Sequence, residues 1–206
     1  MNQSDEQSRQ RSNSLGSLQN LLLILVCFVV VYALIRPRPV GPDGPNHAGV
    51  GKALTKQSFQ PLTGAETAET SESLQGKVVL VNYWGTWCAP CRREFPHIME
   101  LRERFQSRDE FQLISVSCNG GLDRDVESLR DSTEKSLKQV NANVDTYLDV
   151  QWVSRTELGE VAGIEEFGFP TTVLLDRRGK IAAIWRGYHR GVEVEMEMLV
   201  KHALNH

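Results

Sequence analysis

The chain has 206 residues, of which 40% are hydrophobic and 24% are charged, enough to bury one core with room for appended segments. Its formal net charge is −3, from 23 Lys and Arg against 26 Asp and Glu. This balance lacks the basic excess that neutralises a phosphate backbone, so no nucleic-acid partner is expected. The four cysteines are too few for a disulfide-stapled mini-domain, and a tetrahedral zinc site would need a second Cys/His pair.

The first predicted element is an apolar segment near the N-terminus. No charged residue occurs between Arg11 and Arg36, and residues 21–35 are apolar apart from one tyrosine hydroxyl. A helix over 21–35 reaches only about 22 Å of a hydrocarbon core of roughly 30 Å, and extending it back to residue 15 supplies the missing length. We therefore predict a transmembrane anchor at 15–35, after a short tail at 1–14. A cleaved signal peptide is the alternative, but its only weak processing triplet lies inside the apolar run, and arginines follow that run directly.

A linker follows the predicted anchor. Residues 36–52 are dense in proline and glycine and have no periodicity, which predicts a semi-extended tether with a solvated His47. The remaining residues, 53–206, are assigned to one domain. Within it, the Thr/Glu/Ser-rich stretch 65–73 is interpreted as a polar loop.

The domain alternates strand and helix signals. Apolar and β-branched runs predict strands at 77–84, 111–117 and 146–150, and apolar residues at helical spacing predict helices at 90–107, 126–140 and 157–166. A β-hairpin is indicated at 171–186, with its turn at 176–179, and a final amphipathic helix at 192–203. The prediction is an α/β fold, with a mixed central sheet covered by helices on both faces.

The sequence Trp87-Cys88-Ala89-Pro90-Cys91 falls where the first of these strands gives way to a helix. A helix that begins near Cys88 directs free N–H groups and a positive dipole end at its sulfur, which favours the nucleophilic thiolate. Cys88 is therefore expected to be the exposed attacking sulfur and Cys91 the less exposed resolving one. Half of a zinc site and a structural disulfide are the alternatives, but a C-x-x-C beside a βαβ pattern favours redox chemistry.

A family resemblance rests on three stretches of the sequence. These are Val-Val-Leu-Val-Asn-Tyr-Trp-Gly-Thr-Trp-Cys-Ala-Pro-Cys-Arg-Arg-Glu-Phe-Pro at 78–96, Gly-Phe-Pro-Thr-Thr-Val-Leu-Leu-Asp at 168–176, and Gly-Lys-Ile at 179–181. Together they resemble the thioredoxin superfamily and, more narrowly, its membrane-anchored bacterial TlpA/ResA-type thiol–disulfide oxidoreductases. The resemblance runs from about Ala53 to the C-terminus and includes 59–64, which is similar to the N-terminal strand pair of that family.

The resemblance implies roles for several residues. Phe169, Pro170 and Thr171 match the cis-proline loop, which faces the cysteine pair and lets the extended backbone of a partner add as a strand. Trp87 is placed to shield the sulfur and contact partners. Glu94 matches an acidic residue of the subfamily, which with a raised pKa would carry the proton of Cys91. An exposed first-turn glutamate that only stabilises the helix dipole is the alternative.

Three further positions, an asparagine and the two remaining cysteines, bear on the predicted chemistry. Asn82 stands six residues before the first cysteine, where ordinary thioredoxins carry a buried aspartate, and an amide cannot act as a base. Cys118 follows a strand expected to lie beside the active-site strand, so it could resolve or regulate, although a cysteine there is more often a small buried apolar residue. Cys27 lies in the predicted anchor and is expected to be inert.

The predicted function is thiol–disulfide exchange with proteins outside the cytoplasm, by a single-pass protein of the bacterial cytoplasmic membrane. The sequence contains no nucleotide fingerprint, so no cofactor or metal is expected and another protein must regenerate the dithiol. The resemblance implies a reductant, with apo-cytochrome c as a common substrate. The alternatives are a copper-binding assembly protein of related fold, which would need C-x-x-x-C and a distal histidine, and a thiol peroxidase, which would need threonine where Gly85 stands.

Overall fold

The computed structural model describes residues 44–120 and 125–206, together with residues 20, 22–28 and 31 near the N-terminus. The chain divides into two compact units, 1–39 and 40–206. In the first unit the described residues are helical and their side chains are exposed. No helix among the described residues is long and apolar enough to cross a membrane. Most of the predicted anchor at 15–35 lies outside the described residues, as does the whole predicted tail.

In the described part of the second unit, one mixed sheet contains seven strands, in the order β2-β1-β5-β4-β3-β6-β7. The strands are β1 (Ser58–Thr63), β2 (Glu69–Thr70), β3 (Val78–Trp84), β4 (Phe111–Ser117), β5 (Thr146–Leu148), β6 (Thr171–Leu175) and β7 (Ile181–Arg186). The helices are α1 (Ala89–Phe105), α2 (Val126–Gln139), α3 (Val153–Ala162) and α4 (Val192–Asn205), and a 3-10 turn at Val150–Trp152 precedes α3.

Strand β3 lies at the centre of the fold and carries the active-site sequence at its end. It pairs in parallel with β4, with Leu80 opposite Leu113, and antiparallel with β6, with Leu80 opposite Leu174. Every residue of β3 is buried, because both of its edges are paired and both of its faces are covered. The predicted mixed sheet between helical layers is confirmed.

Alternate residues of β3 contribute to two hydrophobic clusters. Leu80 and Trp84 join the cluster formed with α1 and α4, whereas Val81 and Tyr83 join the one that contains Leu158 of α3. Because side chains alternate along a strand, Asn82 is directed to the same face as Leu80 and Trp84. Its amide therefore lies beneath α1, the helix that begins at the cysteines.

Residues 44–52 differ from the semi-extended tether expected there. Gly44 pairs with Ile184 of β7, and the backbone N–H of Gly51 donates to the carbonyl of Ile181 at 2.8 Å. The expected solvation of His47 is wrong: its side chain is buried, and Nδ1 accepts a hydrogen bond from the N–H of Gly49 at 3.0 Å. This segment occupies the outer edge of β7, where unpaired backbone groups favour such a cover.

Two smaller differences concern element boundaries. The stretch 65–73, interpreted as a loop, contains the short strand β2, which pairs with β1. The helix expected at 157–166 is α3 and begins four residues earlier, at Val153. It also ends four residues earlier than expected, at Ala162, and the following Gly163 has a left-handed φ of 72°, the usual C-terminal stop of a helix.

Candidate active site

Cys88 and Cys91 form a disulfide at the N-terminus of α1. Strand β3 ends at Trp84, and a turn closed by the Cys88 N–H donating to the carbonyl of Gly85 at 3.1 Å leads into the helix. Cys88 is the N-cap residue, and its sulfur accepts a hydrogen bond from the backbone N–H of Cys91 at 3.2 Å. After reduction, the same donor and the positive end of the helix favour a thiolate on Cys88.

Both cysteines are largely withdrawn from solvent. Cys88 is 4% exposed and Cys91 is 1% exposed, so Cys91 is the less accessible of the two, as expected. The expectation that Cys88 itself is exposed is wrong. It belongs to the hydrophobic cluster of Trp84 and Phe95, against which Phe169 also packs.

Trp87 connects the cysteine turn to two neighbouring segments. Its indole N–H donates to the carbonyl of Cys118 at 3.1 Å, and its ring meets that of Phe169 edge-on, with centroids 5.3 Å apart. Gly85 and Gly120 lie so close to the ring that a Cβ atom at either position would overlap it. The indole is therefore fixed beside Cys88, although 36% of the Trp87 surface remains exposed.

The loop before β6 brings Phe169 and Pro170 to the same end of the sheet. Tyr83 of β3 lies opposite Thr171, the first residue of β6, so the end of one strand is next to the start of the other. The Phe169–Pro170 peptide bond is cis, as the resemblance implied. The Thr171 hydroxyl donates to the carbonyl of Gly168 at 2.8 Å, which holds the loop in place.

Glu94 lies one turn after Cys91 on α1 and is 2% exposed. Its carboxylate accepts hydrogen bonds from the Asn82 amide at 2.8 Å and from the Thr172 hydroxyl at 3.3 Å. Burial raises the pKa of Glu94 to about 7, and the two hydrogen bonds oppose that rise. The alternative of an exposed, purely dipole-stabilising glutamate is wrong. Glu94 is a buried carboxyl group that titrates near neutral pH.

Cys118 follows β4, which is parallel to β3 as expected. Its side chain is buried, and burial raises the pKa of the thiol to about 12. The thiolate is the reactive form of cysteine, and a raised pKa keeps Cys118 in the thiol form. Its environment therefore fits a small buried apolar residue better than a resolving or regulatory thiol. Cys27, in the N-terminal helical segment, is exposed. Among the described residues, no three His, Cys, Asp or Glu side chains are grouped so as to hold a metal ion.

One neighbour of the loop was missed in the sequence. Arg155 of α3 places its guanidinium 5.9 Å from the ring centroid of Phe169 and 5.5 Å from that of Trp152. Its Nε donates to the buried carboxylate of Asp149 at 3.0 Å. These residues are close only in the folded chain, and no motif marks them in the sequence.

Comparisons with known proteins agree with this arrangement. The model of a family described as thioredoxin-like matches residues 76–181. The thioredoxin-like protein YneN of Bacillus subtilis is 31% identical over 148 residues, covering 72% of this chain and 78% of its own. The thiol-disulfide oxidoreductase ResA of Oceanobacillus iheyensis is 26% identical over 189 residues, covering 90% and 88%.

Solved structures share the fold. A thiol:disulfide interchange protein of the thioredoxin family from Chlorobium tepidum has a TM-score of 0.57 at 23% identity, covering 75% of this chain and 98% of its own. A secreted thiol-disulfide isomerase from Corynebacterium glutamicum has a TM-score of 0.64 at 19% identity, covering 83% and 97%.

A cysteine pair at a helix N-terminus beside a cis-proline loop defines a thiol–disulfide oxidoreductase built on the thioredoxin fold. The chain belongs to the thioredoxin-like family and, within it, to the ResA-type thiol–disulfide oxidoreductases.

Proposed function

We propose that this oxidoreductase is tethered to the bacterial cytoplasmic membrane and reduces disulfides of proteins on the extracytoplasmic side. The observation that carries the redox part is the Cys88–Cys91 disulfide at the N-terminus of α1. The Ala89-Pro90 pair between the cysteines contributes no cation that would stabilise the thiolate strongly. This favours a reducing dithiol, because strong oxidants of this fold stabilise their reduced form.

The reaction is a two-electron exchange between two disulfides. The reduced Cys88 thiolate attacks one sulfur of the substrate disulfide, so an intermolecular disulfide forms and the other substrate sulfur leaves as a thiolate. The Cys91 thiolate then attacks the Cys88 sulfur, which re-forms the Cys88–Cys91 disulfide and releases the second substrate thiolate. The substrate gains two electrons and leaves as two thiolates, which take up protons from water according to their pKa values. Another dithiol protein must reduce this one for the next cycle.

Glu94 is proposed to carry the proton of the resolving step. A thiol at Cys91 must lose its proton before it attacks, and its sulfur is almost fully buried, so water is a poor acceptor for that proton. A carboxyl group whose pKa is about 7 is divided between its two forms near neutral pH, as an efficient general base requires. Asn82 and Thr172 hold that carboxylate in place, and Glu94 gives the proton back when the dithiol is regenerated.

Trp87, Phe169, Pro170 and Thr171 are proposed to bind the substrate. Phe169 lies in the loop beside the cysteine turn and packs on Trp87. An extended substrate segment that runs along this loop would present its sulfur to Cys88, with backbone hydrogen bonds supplying affinity.

Membrane tethering rests on the N-terminal segment. The run 21–35 has no charged residue, and the described apolar side chains in it are highly exposed, Leu22 by 65% and Phe28 by 73%. Exposed apolar side chains of this kind favour an apolar environment, which supports a membrane anchor. Disulfide exchange is also a function of compartments outside the reducing cytosol. Apo-cytochrome c, whose haem-binding cysteines must be reduced, is the substrate class that the family resemblance favours.

The test uses the full chain in detergent or in its membrane. Equilibration with thiol buffers and mass analysis of trapped thiols should give one reversible Cys88–Cys91 couple, nearer about −270 mV than about −120 mV. Cys91→Ser should trap extracytoplasmic partners as mixed disulfides, and Cys88→Ser should trap none. A membrane-impermeant alkylating reagent should modify reduced Cys88 in intact cells. A chain without a reversible couple would overturn the redox proposal, and labelling only after lysis would overturn the topology.

A further inference from the structure

A groove adjoins the cis-proline loop on the side of α3. It has a volume of about 490 Å³, and Ile164, Phe167 and Phe169 contribute apolar side chains to its lining. Phe169 belongs to both places, since the same ring lines the groove and packs on Trp87 beside Cys88. A substrate chain held at the loop would therefore continue into this groove.

Trp152 and Arg155 also line the groove, and they face each other as a stacked pair. Trp152 is 67% exposed, and both it and Gln151 have left-handed φ angles, of 61° and 53°, which residues other than glycine rarely adopt. Strained backbone of this kind clusters at ligand sites. The Arg155 guanidinium lies over the indole ring at 5.5 Å, and this stacking orients the exposed aromatic side chain.

The charge of the groove is negative. The guanidinium of Arg155 is offset by Asp149, which accepts from its Nε at 3.0 Å. Glu160 and Glu165 also line the groove and are exposed. Neither carboxylate forms an ion pair within residues 44–120 and 125–206. An occupant is therefore favoured if it combines an apolar side chain for the lining with a basic side chain for the rim.

We propose that this groove selects substrate polypeptides in which an apolar residue and a lysine or arginine flank the reactive cysteine. The inference rests on the proposed function, because the groove lies next to the site where the substrate sulfur must be held. The apolar side chain packs against the lining formed by Ile164, Phe167 and Phe169. The basic side chain lies near Glu160 and Glu165. The occupant is a polypeptide, because continuity with the cis-proline loop requires an extended chain that reaches both places.

The test measures how fast the reduced full-length protein reacts with each of three disulfide substrates. Two are peptides with one disulfide and one flanking leucine, and they differ only in carrying two lysines or two glutamates. The third is hydroxyethyl disulfide, which is neutral and too small to occupy the groove. We expect the lysine peptide to react about tenfold faster than the glutamate peptide at low salt, and the ratio to shrink as salt screens the charges.

The charge-reversal variant Glu160→Lys/Glu165→Lys should abolish or invert this preference. The matched control Glu66→Lys/Glu72→Lys changes the net charge equally at exposed glutamates near β2 and should retain it. Trp152→Ala should slow both peptides severalfold relative to hydroxyethyl disulfide.

Two results would overturn the inference. If the groove variant keeps the wild-type preference, or if the control loses it equally, the groove does not select substrates. Normal exchange with hydroxyethyl disulfide alongside either result would leave the proposed function intact. Failure of the wild-type protein to exchange with any of the three disulfides would overturn the proposed function, and the role of the groove with it.

Discussion

The side-chain amide of Asn82 donates a hydrogen bond to the carboxylate of Glu94 at 2.8 Å, from the central strand to the helix above it. The same amide also donates to the hydroxyl of Thr172 at 2.8 Å. A carboxylate in this position would have a higher pKa without such donors, because burial alone penalises its charge. The hydrogen bond from the amide thus lowers the pKa of Glu94 towards neutral pH. Neither Asn82 nor Thr172 carries a charge, so Glu94 is the group of these three that can accept or release a proton.

Replacing Glu94 by glutamine should change how stability depends on pH. Burial raises the pKa of Glu94 from 4.5 to about 7 in the folded chain, so the folded state binds this proton more tightly than the unfolded state. Its contribution to stability is full below about pH 4.5 and is lost as pH rises through 7. Relative to wild type, Glu94→Gln should therefore gain about 3 kcal/mol in unfolding free energy between pH 4 and pH 8.

Denaturant unfolding of the oxidised protein at several pH values measures this gain. Glu103→Gln, at an exposed position on the same helix, is the control and should differ from wild type by a constant amount. A Glu94→Gln difference that is equally constant across this pH range would contradict the raised pKa.

Gly85→Ala should displace the Trp87 ring. A Cβ atom at Gly85 would lie 2.5 Å from the indole nitrogen and 3.0 Å from the carbonyl oxygen of Cys118, and the backbone carbonyl cannot move aside cheaply. We expect a loss of about 1–3 kcal/mol in unfolding free energy and a change in the near-UV circular dichroism of the indole. Gly168→Ala, where a Cβ atom meets nothing within 4 Å, is the control. Equal spectra and stabilities for both variants would contradict the close packing of Trp87.

The buried strands are the elements that the sequence predicts best. Strand β4 has the predicted bounds, 111–117. Its apolar residues are bounded by a polar stretch at 106–110 and by an Asn-Gly-Gly turn signal at 119–121. The predicted start of helix α3 is four residues too late. The left-handed backbone at Trp152 precedes the helix, and no glycine there indicates such a turn in the sequence. The packing of residues 44–52 on β7 was also missed, because glycine and proline density indicates a flexible chain and says nothing about long-range pairing.

Some residues of the candidate site could be predicted from the sequence, and others could not. Cys88 and Cys91 could be identified because their chemistry is local, a spacing at the start of a helix. The burial of Glu94 depends on Asn82 and Thr172, which come from two other elements, and only the family resemblance pointed to it. Arg155 reaches Phe169 through tertiary packing alone, and so it was missed.

Cys118 should resist alkylation until the protein unfolds. Burial raises the pKa of this thiol to about 12, so almost no thiolate exists at pH 8 and the reagent has no access to it. In the oxidised protein, iodoacetamide should reach Cys118 only in denaturant. Cys118→Ala should leave the reduction potential of the Cys88–Cys91 pair unchanged. Rapid modification of native Cys118, located by peptide mass mapping, would restore the idea of a resolving or regulatory thiol.

Glu157→Ala should release the segment that precedes β1. The carboxylate of Glu157 accepts the backbone N–H groups of Thr55 and Lys56 at 2.7 Å and 2.9 Å and the side-chain amide of Gln57 at 2.8 Å. Removing this acceptor leaves the buried side-chain amide of Gln57 without it, which costs about 1–3 kcal/mol. Amide hydrogen exchange of Thr55 and Lys56 should accelerate, whereas Glu160→Ala, at an exposed position of the same helix, should change neither stability nor exchange there. Unchanged protection of Thr55 and Lys56 in Glu157→Ala would mean that this carboxylate does not hold the segment, which is also joined to Ser71 through Gln57.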